Sequence, residues 1–299
     1  MFEFRKISFE DKDWINCALK VSDFKGAEYC FANNMAWQRL NDTLICRYGD
    51  FYISCSFYNG EPYVTFPSGV ETDESGKNKY LNLFSELKHF FNSQGKIFRL
   101  CSVTESNLDW LKQAYGDSIE IEYNRDSSDY IYYSSDLISF KGKKFHGKRN
   151  HLKRFMENDW SYEPIVSSNL DECLAYTTQN YNSKEDFDFS AVVEQYAINF
   201  FFTYMDKLDL KGGAIRCNGK IAGVSIGEKL NSDTFVVHIE KADSNINGAY
   251  PAICNQFITA NAADIKYVNR EEDMGLEGLR KSKLSYNPVF LLDKYTLTF

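Results

Sequence analysis

"GGAIRCNGKIAGVSIGEKLNSDTFVVHIEKA", residues 212–242, decides the fold. Three β-rich runs are separated by Asn218-Gly219 and by Asn231-Ser232. Asn-Gly is a strong signal for a two-residue hairpin, because both central residues of such a turn take positive φ. After "NINGAYP" the pattern becomes helical: a helix starts near Pro251, whose fixed φ suits a first turn, and carries Ile253, Phe257 and Ala260 inward. "DIKYVN" (264–269) is then a strand, "LEGLRKSKL" (276–284) a short helix and "NPVFLLDKYTLTF" (287–299) a final strand region. Upstream, an entry helix sets Val193, Ala197, Phe200, Tyr204 and Leu208 on one face. The order is β-β-β-α-β-α-β.

The first half follows the same order. "TLICRYGDFYISCSFYNGEPYVTF" (43–66) gives strands broken at Gly49 and Asn59-Gly60. Tyr80, Phe84, Leu87 and Phe91 recur at helical spacing up to Gly95. "KIFRLCSV" (96–103) is a strand, "ESNLDWLKQAYG" (105–116) a short helix, and "SIEIEYNRDSSDYIYYSSDLISF" (118–140) a terminal strand pair. Two similar domains are expected, 1–140 and 141–299, with 141–155 as a basic junction segment. The order matches the N-acyltransferase fold called GNAT, so the expectation is an α+β chain of two tandem GNAT-like domains, each a central mixed sheet flanked by helices. A ferredoxin-like pair is the alternative, and fold alone carries no chemistry.

Composition narrows the function. A chain of 299 residues, 43% hydrophobic and 16% aromatic, is long enough for two cores. Its net charge of -8 argues against a surface that binds nucleic acid all over. The N-terminus "MFEFRKISFEDKDW" lacks a signal-peptide core and no apolar run approaches transmembrane length, so a cytoplasmic protein without an integral membrane segment is expected. Eight scattered cysteines without CxxC spacing are expected mostly as buried free thiols, with Cys55 and Cys101 in apolar strand patterns. No metal is expected: His146 and His151 lie five apart in a cationic run, a poor setting for zinc.

That run is "GKKFHGKRNHLKRF" (142–155), with Lys143, Lys144, Lys148, Arg149, Lys153 and Arg154 in an otherwise acidic chain. Parallel central strands of a GNAT-like unit splay apart and admit ligand; here they would be "FVVHIEKA" and "IKYVN". Period-two geometry puts His238 and Glu240 on one face of the first strand, against Val237 and Ile239, and Tyr267 with Asn269 on a face of the second. Beyond it, Arg270, Glu271, Glu272 and Asp273 crowd the strand end, and Arg280 and Lys283 project together from the short helix. A carboxylate there can orient an amine or take its proton, while the cations can hold a carboxylate or phosphate. Taken one at a time, each has an ordinary structural explanation as an interior histidine, a rim charge or a solvated turn. The loop "DSNINGAYP" offers no Arg or Lys for a pyrophosphate, and Pro251 removes a backbone donor, which speaks against acetyl-CoA.

"GKKFHGKRNHLKRF", "HIEKA…GAYPAICNQF" and "YVNREEDMGLEGLRKSKLSYNP", in this order, resemble the uncharacterised family grouped with the C-terminal domain of phosphatidylglycerol lysyltransferases. The resemblance covers residues 140–290 most strongly. It implies kinship in fold with the Fem-type aminoacyltransferases, two GNAT units that use aminoacyl-tRNA as donor in the characterised branches. Members that modify phosphatidylglycerol carry a membrane-spanning half; this chain shows none, and peripheral lipid contact stays open. The expectation is an aminoacyl- or acyltransferase with an amine or hydroxyl acceptor and aminoacyl-tRNA or acyl-CoA as donor. Lys144, Lys148, Arg149 and Lys153 would neutralise donor phosphates. His238, Glu240 and Glu272 would deprotonate or orient the acceptor, Asn269 would hydrogen-bond the reacting carbonyl, and Arg280 and Lys283 would hold an anionic group. The competing expectation is a non-catalytic GNAT-like protein that binds a small anionic metabolite or an aminoacyl group.

Overall fold

Both asparagine–glycine hairpins form as their turn chemistry demands, with Asn59 and Gly60 at φ 52° and 80° and Asn218 and Gly219 at φ 52° and 78°. The computed structural model describes residues 2–40, 42–182 and 189–299. Helices α1 (Lys12–Ser22) and α2 (Phe31–Trp37) precede strands β1 (Leu44–Tyr48), β2 (Phe51–Tyr58) and β3 (Glu61–Thr65), then α3 (Glu74–Asn92), β4 (Arg99–Val103), α4 (Glu105–Tyr115) and β5 (Glu120–Tyr123). Next come β6 (Asp129–Tyr133), α5 (Ser134–Ser139), α6 (His146–Met156), β7 (Trp160–Pro164), α7 (Leu170–Asn182) and α8 (Phe189–Thr203). The chain ends with β8 (Lys211–Cys217), β9 (Lys220–Lys229), β10 (Thr234–Ala242), α9 (Ala249–Asn261), β11 (Tyr267–Asn269), α10 (Glu277–Leu284), β12 (Phe290–Leu292) and β13 (Tyr295–Thr298).

Two mixed sheets result, flanked by helices. The first runs β1-β2-β3-β4-β13-β5 and the second β12-β6-β11-β10-β9-β8-β7. In each, one parallel pair sits among antiparallel neighbours: β3 with β4, and β10 with β11. One compact unit comprises Met1–Asp129, Glu272–Gly275 and Leu292–Phe299; the other comprises Tyr130–Glu271 and Leu276–Leu291.

The final strands pair differently from the sequence expectation. β5 and β6 do not form a pair of their own: β5 lies against β13, and β6 lies against β11. Their burial explains the choice. Tyr130, Ile131 and Tyr132 of β6 are at most 1% exposed and need an interior strand position, whereas every residue of β5 is exposed, as suits a sheet edge. Period two marks a strand and its faces; it leaves the partner open.

The core of the first unit centres on α3, where Tyr80, Phe84, Leu87 and Phe91 pack with Phe98 and Leu100 of the sheet side. Asp73 caps this helix by accepting from the Gly76 N–H at 2.7 Å. In the second unit, Phe235, Val237, Ile253 and Phe257 join Phe145 and Phe155, which anchor the basic segment. Each such fully buried side chain contributes roughly 1.5–3 kcal/mol of transfer free energy. The entry helix is shorter than its spacing suggests: α8 ends at Thr203, and Tyr204 and Leu208 lie in the turns that follow.

Candidate functional site

Strands β10 and β11 are paired in parallel only at Thr234–Tyr267, Phe235–Val268 and Val236–Asn269. β10 then continues to Ala242 while β11 stops at Asn269, so the strands part where the polar side chains begin. An opening at the carboxyl ends of parallel strands is where a sheet of this type binds ligands.

The antiparallel register of β10 against β9 slips at the same point. Val237 faces Gly227 and Ile239 faces Ile226, which leaves His238 as the extra residue of a β-bulge. The slip resets the alternation of β10. Phe235, Val237 and, beyond the bulge, Ala242 all belong to the core that includes α9, an arrangement strict period two forbids. His238 and Glu240 therefore do not share a face as the sequence expectation has it. Instead, His238 stacks on Phe201 of α8, with ring centroids 5.2 Å apart, and Glu240 interacts with Arg270 and with the buried Cys254 of α9.

On the His238 side, Nδ1 lies 2.9 Å from Glu271 Oε1 and Nε2 lies 3.0 Å from Glu228 Oε1. Both ring nitrogens thus lie within hydrogen-bond distance of a carboxylate. The side chain is 1% exposed. Glu271 holds a left-handed φ of 57°. Its N–H donates to Asn269 Oδ1 at 2.7 Å, and Lys283 Nζ donates to the carbonyls of Arg270 and Glu271 at 2.5 and 3.1 Å. Asn269 and Lys283 therefore shape the chain after β11.

On the Glu240 side, an Arg270 Nη2 group donates to Glu240 Oε1 at 2.6 Å, with both side chains about nine-tenths buried. The guanidinium lies 4.3 Å from the ring centroid of Tyr286 and 5.5 Å from that of Tyr132. Burial works most strongly against its charge, but the Glu240 carboxylate together with Cys254, Tyr132 and Tyr286 outweighs it and keeps the Arg270 pKa above its ordinary value. Lys148 of α6 places its Nζ 3.5 Å from the same Tyr286 centroid. Burial first, and the field of Arg270 second, lower its pKa to about 8. Burial likewise pushes the Cys254 thiol up to about 12 and the Tyr286 phenol well above its usual value. Arg270 Nη1 and Tyr286 Oη are buried without a hydrogen-bond partner among the described residues. Buried donors of this kind carry an unmet desolvation cost of about 1–3 kcal/mol each until something accepts from them.

Helix α6 is fixed around Lys148 from both ends. Arg149 Nη1 donates to the carbonyls of Phe140 and, at 2.6 Å, Gly142, closing a turn in which Phe140 and Gly142 have φ of 42° and 95°. Lys144 pairs with Asp136 at 3.0 Å, and Lys153 is solvent-exposed. Toward the far end, His151 Nδ1 lies 2.7 Å from Asn247 Oδ1, and a Cβ on Gly248 would fall 2.0 Å from the His151 carbonyl oxygen. The α6 backbone is thus packed against the residue that caps the N-terminus of α9.

The structure consequently sorts the sequence candidates. Lys148, Glu240 and, at the strand end, His238, Asn269 and Lys283 surround the β10–β11 opening, His238 on the opposite face. Arg280 lies on α10, partly buried. Glu272 belongs to the other compact unit, where it contributes to the field at Lys294. Arg270, which the sequence places only in the charged run at the strand end, and Tyr286, which no spacing marks, complete the cluster around Lys148. Arg270 shares its period-two face with Val268, a core residue, and that is the signal that marks it.

The model of the family described as phosphatidylglycerol lysyltransferase, C-terminal, matches residues 19–298. An uncharacterized protein from Mycoplasmoides gallisepticum is 26% identical over 200 residues, 64% of this chain. The match spans 62% of that relative, under two thirds of its length. A conserved protein of unknown function from Bacteroides thetaiotaomicron is 32% identical with a TM-score of 0.90, covering 100% of both chains. FemX shares the fold at 9% identity and a TM-score of 0.67, over 98% of this chain and 96% of its own. A tandem GNAT protein from the clavulanic acid biosynthesis pathway does so at 9% identity and a TM-score of 0.50, over 100% of this chain and 98% of its own. No helix among the described residues is long and apolar enough to cross a membrane.

Proposed function

The chain belongs to the phosphatidylglycerol lysyltransferase C-terminal family, and from that membership and the chemistry at the β10–β11 opening we propose that it transfers an aminoacyl or acyl group from an activated ester to an amine or hydroxyl acceptor. The observation that carries this reading is the donor set gathered at Tyr286: Lys148 over the ring, and Arg270 Nη1 and Tyr286 Oη without hydrogen-bond partners among the described residues.

Attack on an ester carbonyl builds negative charge on its oxygen, and donors fixed beforehand in a water-poor site stabilise that charge without reorganising. Arg270, locked by Glu240, and the Tyr286 hydroxyl supply such donors. The leaving oxygen needs a proton and the attacking amine must lose one. Lys148, with a pKa of about 8, can give the first and recover the second near neutral pH. His238 lies on the other face with both nitrogens engaged, and its role in this scheme is to hold Glu271 and so the strand end that carries Arg270.

An aminoacyl-tRNA donor fits better than acyl-CoA. The N-terminus of α9, where a pyrophosphate would be expected, has the α6 backbone against its cap. Lys143, Lys153 and Arg154 remain exposed on and beside α6, suited to sequence-independent phosphate contacts. The test is a donor screen with aminoacyl-tRNA and acyl-CoA pools against mixed amines, alcohols and phosphatidylglycerol vesicles, scored by loss of ester. Consumption of an aminoacyl ester, falling as pH rises through about 8 where Lys148 loses its proton, is expected. A protein that binds these donors but consumes none across the acceptor panel is a binding module, and the proposal fails.

A further inference from the structure

Lys148 has a second chemical capacity, separate from turnover. Its amine sits against an aromatic face and beside a guanidinium, and among the described residues it makes neither a hydrogen bond nor an ion pair. Other lysines of the second unit are differently placed. Lys144 pairs with Asp136, Lys241 pairs with Glu194 at 2.7 Å, and Lys283 is tied to two carbonyls. We propose that Lys148 is a self-acylation site, at which an activated ester or thioester transfers its acyl group onto the protein and silences the cationic cluster.

The balance is simple. The neutral Lys148 amine attacks the acyl carbonyl carbon, the C–O or C–S bond breaks, and the alcohol or thiol departs with the proton lost by the amine. The product is an amide. It removes one positive charge from beside Arg270 and blocks any proton transfer at that nitrogen. Only the identity of the natural acyl source rests on the transferase reading; the reactivity itself belongs to the amine's surroundings.

Those surroundings also set the pH response. From its neighbouring elements Lys148 meets Arg270 after β11, Glu240 on β10, Cys254 on α9 and Tyr286 after α10. Glu240 is already committed to Arg270, so burial and the guanidinium prevail and the pKa falls from 10.5 to about 8. At pH 8 about half of such amines are neutral, roughly a hundredfold more than for an ordinary lysine, although lower basicity and restricted access reduce the advantage in rate.

The experiment exposes the full chain to limiting p-nitrophenyl acetate at pH 6.5, 8 and 9.5, removes thiol adducts with hydroxylamine, and maps acetyl-lysine by mass spectrometry. At pH 8 a single dominant adduct at Lys148 is expected, formed at least about tenfold faster than at exposed Lys153. The Lys148→Arg variant, which keeps the charge, should lose that adduct alone. Labelling spread over exposed lysines without preference, or unchanged mono-acylation in Lys148→Arg, overturns the proposal. If Lys148 is labelled selectively but no ester is passed to any acceptor, the transferase reading fails while the acylation site stands.

Discussion

Lys148 concentrates the physical conflict in the second unit, because a lysine that gains no carboxylate is costly to bury. Its folded pKa of about 8 lies below the ordinary 10.5. Between those values the unfolded chain binds more protons than the folded one, so this residue makes stability rise with pH across that window. Below pH 8 its burial cost is present in full. Lys148→Met should therefore raise stability at pH 7 by about 1 kcal/mol, roughly 2–4 °C in Tm for a unit of this size, with the gain fading toward pH 10.5. Thermal melts of both proteins at pH 7 and 10 check this. Other site residues answer to structure first. Asn269 and Lys283 have their polar atoms spent on the turn after β11, and Arg149 on the turn before α6. Their residue types and positions are visible in the sequence. That backbone carbonyls and N–H groups would claim them is not, because those partners depend on the left-handed conformations of Glu271 and Phe140.

Among the elements, β10 and α6 decide where the chemistry falls. The strand itself is plain from "FVVHIEKA", yet one inserted residue at His238 turns the expected single polar face into two. No local pattern announces a bulge, since the register that slips is that of β9. For α6 the charge run is legible at once, but its role follows from close packing that only Gly248 permits. Gly248 combines a φ of 88° with a Cβ position 2.0 Å from the His151 carbonyl oxygen, whereas Gly219 has φ 78° and open space around it. Gly219→Ala should cost about 1 kcal/mol for the backbone conformation alone. Gly248→Ala should cost at least 2 kcal/mol more than that, since α6 must also move. Urea unfolding of the two variants measures the difference as a lower midpoint at unchanged slope.

At the level of the whole molecule, the repeated β-β-β-α-β-α-β order was open to reading because hairpin glycines, helical spacing and strand alternation are local signals, and they recur in both halves. The placement of β6 and β13 was not, because strand pairing across more than 100 residues leaves no local trace. The same holds for the site, which draws Lys148, Glu240, Arg270 and Tyr286 from four separate elements or loops. Their union is what makes a chemical proposal out of a fold shared by many functions. The central claim is that this union performs acyl transfer. Its most direct test is a single-turnover measurement of ester transfer by Lys148→Met beside the unaltered protein, with melting temperature followed in parallel. The account predicts a variant at least as stable as the parent whose transfer rate falls by about 10²–10⁴, the size expected for losing a positioned general acid–base group. Undiminished transfer by a folded Lys148→Met protein would contradict it.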